Sequence, residues 1–179
     1  VSKLRPPAEI AICLTLAGVF FLYGFAPAWR SMNTDFSTYY VTARLYREGH
    51  SLARVYEWIW FQRQKNHAGM ERRVVGFFPL TGFSAMPIVP LTTLSPLAAK
   101  RCWIAINLLL LGFTGFLLYR MTALGTWQAA ILVFLATQPL RTHFLYGQFH
   151  LLVLFLVVLS LWLYLKGRPV GSGVRNREV

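Results

Sequence analysis

Apolar and polar positions alternate along the chain in long blocks. Ile10 to Trp29 is almost unbroken apolar sequence, and Cys102–Tyr119, Thr126–Leu140 and Phe149–Leu165 are three further apolar blocks. Runs of about 17–22 apolar residues match a hydrocarbon core of ~30 Å. A fifth stretch, about 77–91, is apolar but short, and Pro79, Pro87 and Pro90 interrupt it. Irregular backbone at membrane depth needs cover from protein or water, so this stretch is either a short kinked span or a re-entrant segment. The expected fold is an all-α integral membrane bundle of four or five spans, about 10–29, 77–91, 102–119, 126–140 and 149–165. A basic tail follows at 170–179.

Residues 30–76 form the one long polar segment, and two helical patterns lie within it. Phe36, Tyr39, Tyr40, Ala43 and Arg47 recur at spacings of three and four and stop before Gly49. Ser51 is a good N-cap for a second helix, with Leu52, Val55, Tyr56, Ile59 and Trp60 on one stripe and Arg54, Glu57, Arg63 and Lys65 opposite. Short aromatic helices with cations opposite suit the membrane interface, although packing on the rest of the protein would give the same pattern.

Composition strengthens the membrane assignment: 56% of residues are hydrophobic and only 13% charged, about half the charge of a soluble domain. The net charge of +12 comes from cations between and beyond the apolar blocks, where they orient spans and meet anionic headgroups. No segment is long enough for a basic nucleic-acid-binding module, so nucleic acid is not an expected partner. Cys13 and Cys102 lie in or beside apolar blocks without metal-ligand spacing, and no disulfide or metal site is expected from them.

The start of the chain, with Lys3 and Arg5 before an apolar core and Ala26-Pro27-Ala28 after it, also suits a signal peptide. The length of the run and its aromatic end at Phe25 and Trp29 favour a retained span with a cytoplasmic N-terminus. If all five apolar stretches cross, Arg120 and the basic tail fall outside, against the positive-inside tendency. If 77–91 dips in and returns, the N-terminus, Arg120 and the tail are all cytoplasmic, and Asp35 shares the outer face with Gln148. The second layout is preferred on charge.

Asp35 is the only aspartate in the chain. Capping the helix at Phe36 is its plainest role, but a carboxylate at the water–lipid boundary could also take a proton from a hydroxyl nucleophile. Glu9, Glu48, Glu57, Glu71 and Glu178 are less suited, lying on the cytoplasmic flank, among arginines or in the tail. A second polar cluster runs from Gln138 to His150. There Gln148 offers donors and acceptors, and Arg141 could meet a phosphate. His143 and His150 would share a face on an unbroken helix, but Gly147 is placed to interrupt it; interhelical hydrogen bonding is the plainer role for these groups.

Asp35-x-x-x-Tyr39 after the first span, Phe77-Phe78-Pro79-Leu80, Pro87-x-x-Pro90, Trp103 with Asn107, and Tyr146-Gly147-Gln148 form an ordered series. It resembles the C-type glycosyltransferases, and most closely the polyprenol-phosphate-mannose-dependent mannosyltransferases of glycosyltransferase family 87, over about residues 10–165. The resemblance implies a bacterial plasma-membrane enzyme using a polyprenyl-phosphate sugar donor on the non-cytoplasmic face, with inversion and a lipid or envelope-glycan acceptor. Membrane lipids would be its surroundings. It places the base on Asp35 and the family's Gly-Gln pair on Gly147 and Gln148, with Tyr39 and His150 as further donor- or acceptor-binding candidates. A departing lipid phosphate needs a cation, and Arg141, Arg44 and Arg47 are the candidates, in that order. His150 stands where the family often has Asn. A divalent metal is left open. Family members are longer, so the chain would correspond to their N-terminal half. A non-catalytic fragment or accessory membrane module is the alternative. A small transporter is disfavoured because the spans lack internal carboxylates.

Overall fold

The computed structural model describes residues 6–32, 34–70 and 82–167. Asn33, Phe77-Phe78-Pro79-Leu80, Glu71 and the tail at 170–179 lie outside the described residues. The described chain is all-helical: α1 (Pro6–Phe20), a π-helical turn (Phe21–Phe25), α2 (Ala26–Arg30), α3 (Thr34–Arg47), a 3₁₀ helix (Leu52–Tyr56), α4 (Trp58–His67), a second 3₁₀ helix (Gly82–Thr93), α5 (Pro96–Met121), α6 (Thr126–Leu135), α7 (Thr137–Tyr146) and α8 (His150–Gly167).

Among the described residues, three helices are long and apolar enough to cross a membrane: Pro7–Arg30, Pro96–Met121 and His150–Gly167. The first is one continuous rod of α1, π turn and α2. Pro27 lacks an N–H and crowds the preceding turn, and the wider π turn ahead of it accommodates that misfit. Phe21, Phe25 and Trp29 stack along this rod at 5.4 and 5.5 Å. Gly24 lets α7 come close: a Cβ there would lie 3.4 Å from the Arg141 Cα.

α5 begins at Pro96 behind the Ser95 cap, earlier than the apolar block suggests, because proline is well placed in a first helical turn. Lys100 and Arg101 are therefore inside the helix and do not flank it. The block expected at 126–140 becomes two helices separated only by Ala136. Pro139 falls in the first turn of α7, where its missing N–H costs nothing, and α7 continues to Tyr146.

Two sets of helix ends are fastened separately. At one end Gln128 Nε2 donates to Glu9 Oε1 at 2.9 Å, joining the start of α6 to the start of α1. At the other, the Lys100 ammonium is fully buried and donates to the carbonyls of Ser31 (2.6 Å) and Leu145 (2.8 Å). These carbonyls end α2 and α7, where unpaired C=O groups and the helix dipoles concentrate negative potential. Arg101 Nε donates to the Trp29 carbonyl at 3.2 Å beside them.

The polar segment folds onto this second end. α3 stops before Gly49, whose φ of +83° ends the helix. Its buried set is wider than the single stripe expected: Phe36, Ser37, Thr38, Tyr40, Val41, Thr42, Ala43 and Leu45 are all covered. The 3₁₀ helix 82–93 lies along α3 with Ala85, Ile88 and Thr92 inward. Gly82 rests against Leu52, and Tyr40 Oη donates to the Leu94 carbonyl at 2.7 Å. Pro87 and Pro90 remove two N–H donors, and the chain keeps a tight helical path around them. Ser51 accepts from the Ala53 N–H at 3.3 Å as a cap, but the helix it starts breaks at Glu57. That break changes the phase. Val55, Phe61 and Lys65 are buried, so Lys65 is not on an open face, while Tyr56, Trp58 and Ile59 are exposed.

Gly147 joins the two parts. It ends α7 in the left-handed region at φ +69°, and a Cβ there would lie 2.8 Å from the Phe36 Cβ. Gly49 has a similar φ with nothing within 4 Å. Gly49→Ala should therefore cost only backbone strain, about 1–2 kcal/mol. Gly147→Ala adds a clash worth a further ~1–3 kcal/mol. Thermal unfolding of the two variants in the same detergent should show the larger fall for Gly147→Ala; equal falls would refute the close approach. Lys100→Met should leave two half-buried carbonyls short of a donor, a loss of about 2–5 kcal/mol, read in the same assay.

Candidate functional site

Asp35 occupies the first turn of α3, where the helix dipole favours a carboxylate. Its Oδ2 accepts a hydrogen bond from Gln148 Nε2 at 3.0 Å, across more than a hundred residues of sequence. The aspartate and the glutamine named separately from sequence thus form one pair.

Gln148 is fixed by its main chain as well. Its N–H donates to the His143 carbonyl at 3.1 Å, beside the Gly147 N–H at 2.8 Å, closing the end of α7. Its own carbonyl accepts from the Trp103 indole N–H at 3.3 Å, and the same indole reaches the Gly147 carbonyl at 3.1 Å. The side chain of Gln148 therefore leaves a clamped backbone and points at the carboxylate. Aromatic rings wall the pair: Phe149 meets Tyr39 edge-on at 4.6 Å and Trp103 at 5.0 Å. Tyr39 lies one turn beyond Asp35, and burial, with the Asp35 charge second, raises its phenol above the ordinary value.

The remaining candidates are placed by their own contacts. Arg44 and Arg47 are nine and twelve residues further along α3, about 13 and 18 Å from Asp35 along the axis. Arg44 is also engaged with Glu48 at 2.7 Å. Arg141 donates through Nε to the Tyr23 carbonyl at 3.2 Å, in the π turn. His150 opens α8 and is exposed, with its ring 6.0 Å from that of His143. The structure thus gathers Asp35, Tyr39 and Gln148, and does not bring Arg44 or Arg47 to them.

Two cations not singled out from sequence are tied to this end of the bundle. Lys100 bridges Ser31, four residues before Asp35, and Leu145, three before Gln148. Arg101 is partly exposed beside it, with its guanidinium 5.5 Å over the Trp29 ring. Their signal was present as a Lys-Arg pair beside an apolar block, where it reads as an ordinary flank. Among the described residues no three His, Cys, Asp or Glu side chains converge in a way that could hold a metal ion.

No curated protein and no solved structure gives a significant match to the chain. The sequence model of glycosyltransferase family 87 matches residues 81–175. This is the C-terminal part of the chain, not the first eighty residues on which the resemblance also leaned. Lys100, Trp103, Asn107, His143, Gly147 and Gln148 all lie inside the match, and Asp35 lies outside it. Because the match spans more than half of the sequence and falls on membrane-length apolar helices, the chain belongs to glycosyltransferase family 87, as a membrane protein of glycosyltransferase type.

Proposed function

We propose that this protein transfers a sugar, mannose, from a polyprenyl-phosphate donor to a hydroxyl of a lipid or envelope glycan. The observation that carries the proposal is the Asp35–Gln148 hydrogen bond. It pairs the chain's one aspartate with a residue inside the family match. Gln148 donates to Oδ2 of the carboxylate and so fixes how the carboxylate faces an acceptor hydroxyl. The acceptor proton passes to Asp35 as the acceptor oxygen bonds to the anomeric carbon. The bond from that carbon to the phosphate oxygen breaks on the opposite side, which inverts the configuration. The polyprenyl phosphate departs as an anion.

That anion needs a cation near Asp35. Arg101 now stands ahead of Arg141, Arg44 and Arg47, being partly exposed and bonded to the same end of the bundle. The fully buried Lys100 contributes its field and no direct contact. Exposed Tyr56, Trp58 and Ile59 suit the headgroup region and would hold this end at the membrane surface.

For topology we propose four crossings: Pro7–Arg30, α5, α6 with α7, and α8. Residues 82–93 would stay on the side of α3, which supports the layout in which that stretch does not cross. Arg120 and Lys166 close α5 and α8 at the opposite end from Asp35. Cations flanking short connections favour the cytoplasm, which makes the Asp35 end non-cytoplasmic and the N-terminus cytoplasmic, in a bacterial plasma membrane.

Asp35→Asn should lower transfer from polyprenyl-phosphate mannose by about 10²–10⁴-fold, with unfolding temperature little changed. Full transfer by that variant in reconstituted vesicles would end the general-base assignment. Gln148→Glu, which sets a second carboxylate against the first, should lose more activity than Gln148→Ala. Arg101→Met should weaken transfer clearly more than Arg44→Met. Equal effects in donor-saturation curves would remove Arg101 from the phosphate-binding role.

A further inference from the structure

His143 is buried in α7, one turn before Gly147. Its Nε2 lies 2.9 Å from Asn107 Oδ1 on α5. Asn107 Nδ2 donates to the Trp103 carbonyl at 2.8 Å, which turns its oxygen toward the histidine. An amide oxygen only accepts, so the histidine donates from Nε2. The main chain of His143 acts in the same structure: its carbonyl receives the N–H groups of Gly147 and Gln148. Trp103 then holds the Gly147 and Gln148 carbonyls through its indole N–H. The contacts close on themselves, from Trp103 to Asn107, to His143, to the Gly147-Gln148 turn and back to Trp103.

We propose that this closed circuit positions Gln148 for the reaction, with Asn107 and His143 as positioning residues that touch neither substrate nor the reacting carboxylate. The side chain of His143 sets how α7 sits on α5, and its carbonyl sets where Gln148 leaves α7. The height of Gln148 Nε2 over Asp35 depends on both. Stability alone does not account for the arrangement. The amide and imidazole are buried in apolar surroundings, and His143 Nδ1 has no hydrogen-bond partner. Replacing both members of a buried polar pair by apolar groups of similar shape is often close to neutral for folding. The functional meaning of the circuit rests on Asp35 acting as the base.

The test uses the full chain in lipid nanodiscs, with H143Q, H143L and the double variant N107L/H143L. Gln can donate to the Asn107 oxygen as His does, so H143Q should keep most activity. H143L leaves that oxygen without its donor. The double variant should unfold within about 2 °C of the parent, with kcat for transfer from polyprenyl-phosphate mannose reduced about a hundredfold and donor KM little changed. A double variant with parental kcat overturns the proposal, as does H143Q performing no better than H143L. A geometric readout needs no activity. With Cys13 and Cys102 replaced by Ala, a short bis-methanethiosulfonate reagent should bridge the D35C/Q148C pair. Adding N107L/H143L should lower the crosslink yield severalfold, and an unchanged yield overturns the positioning role. If D35N transfers normally while the crosslink still depends on the circuit, the general-base assignment fails and the positioning of Gln148 stands.

Discussion

Everything at the site end of the molecule depends on the left-handed turn at Gly147 meeting Phe36. The turn requires φ of +69°, which a side chain disfavours, and the contact leaves no room for a Cβ. One residue therefore satisfies two independent constraints, and both lead to the same place. With α7 ended there, the next residue must leave the helix beside the start of α3, where Asp35 stands. The hydrogen bond between Gln148 and Asp35 follows from this backbone path. It is not an isolated encounter of two long side chains.

The stripe Lys100, Trp103 and Asn107 on α5 holds that path in place, spaced by three and four residues so that all three face the same way. Lys100 takes the carbonyls that end α2 and α7, Trp103 takes the carbonyls of the turn, and Asn107 takes His143. In an apolar surrounding a polar group without a partner is costly, so each contact strongly favours one register of α5 against its neighbours. The loop part is joined differently. Phe36, Tyr40 and Val41 of α3 share a core with Ile88, Ala99 and Trp103, so apolar packing carries the carboxylate to the amide.

Much of this was legible in the sequence. The apolar blocks announce the membrane helices, Gly49 and Ser51 mark a helix end and a cap, and the lone Asp35 and the Gly147-Gln148 pair stand out. Other features were not legible, for physical reasons. An apolar block does not show where its helix starts, because Pro96 and Ser95 set the start of α5 several residues before the block. Nor does a stripe survive a break. One residue in extended conformation at Glu57 shifts the phase enough to bury Lys65 and expose Ile59. The pairing of Asp35 with Gln148 could be expected only through the choice of topology, since nothing local to either residue names the other. Phe77-Phe78-Pro79-Leu80, quoted for the resemblance, falls outside the described residues.

The cations of α5 are where the local rules of the chain are most clearly broken. Lys100 and Arg101 lie near the start of α5, and its first turn has no acidic residue; positive charge is disfavoured at a helix N-terminus. The cost is offset by what stands opposite: the C-terminal carbonyls of α2 and α7, which converge on the same spot and would repel one another without a cation between them. In the proposed reaction the same convergence would also repel a phosphate approaching Asp35. A buried ammonium bonded to the carbonyls of Ser31 and Leu145, and a partly exposed guanidinium bonded to that of Trp29, oppose this negative potential. One pair of residues thus allows two helix ends to meet and, in the proposed reaction, would let their meeting point receive an anion. A departure from helix preference that answers both would serve the phosphate leaving group of the proposed reaction.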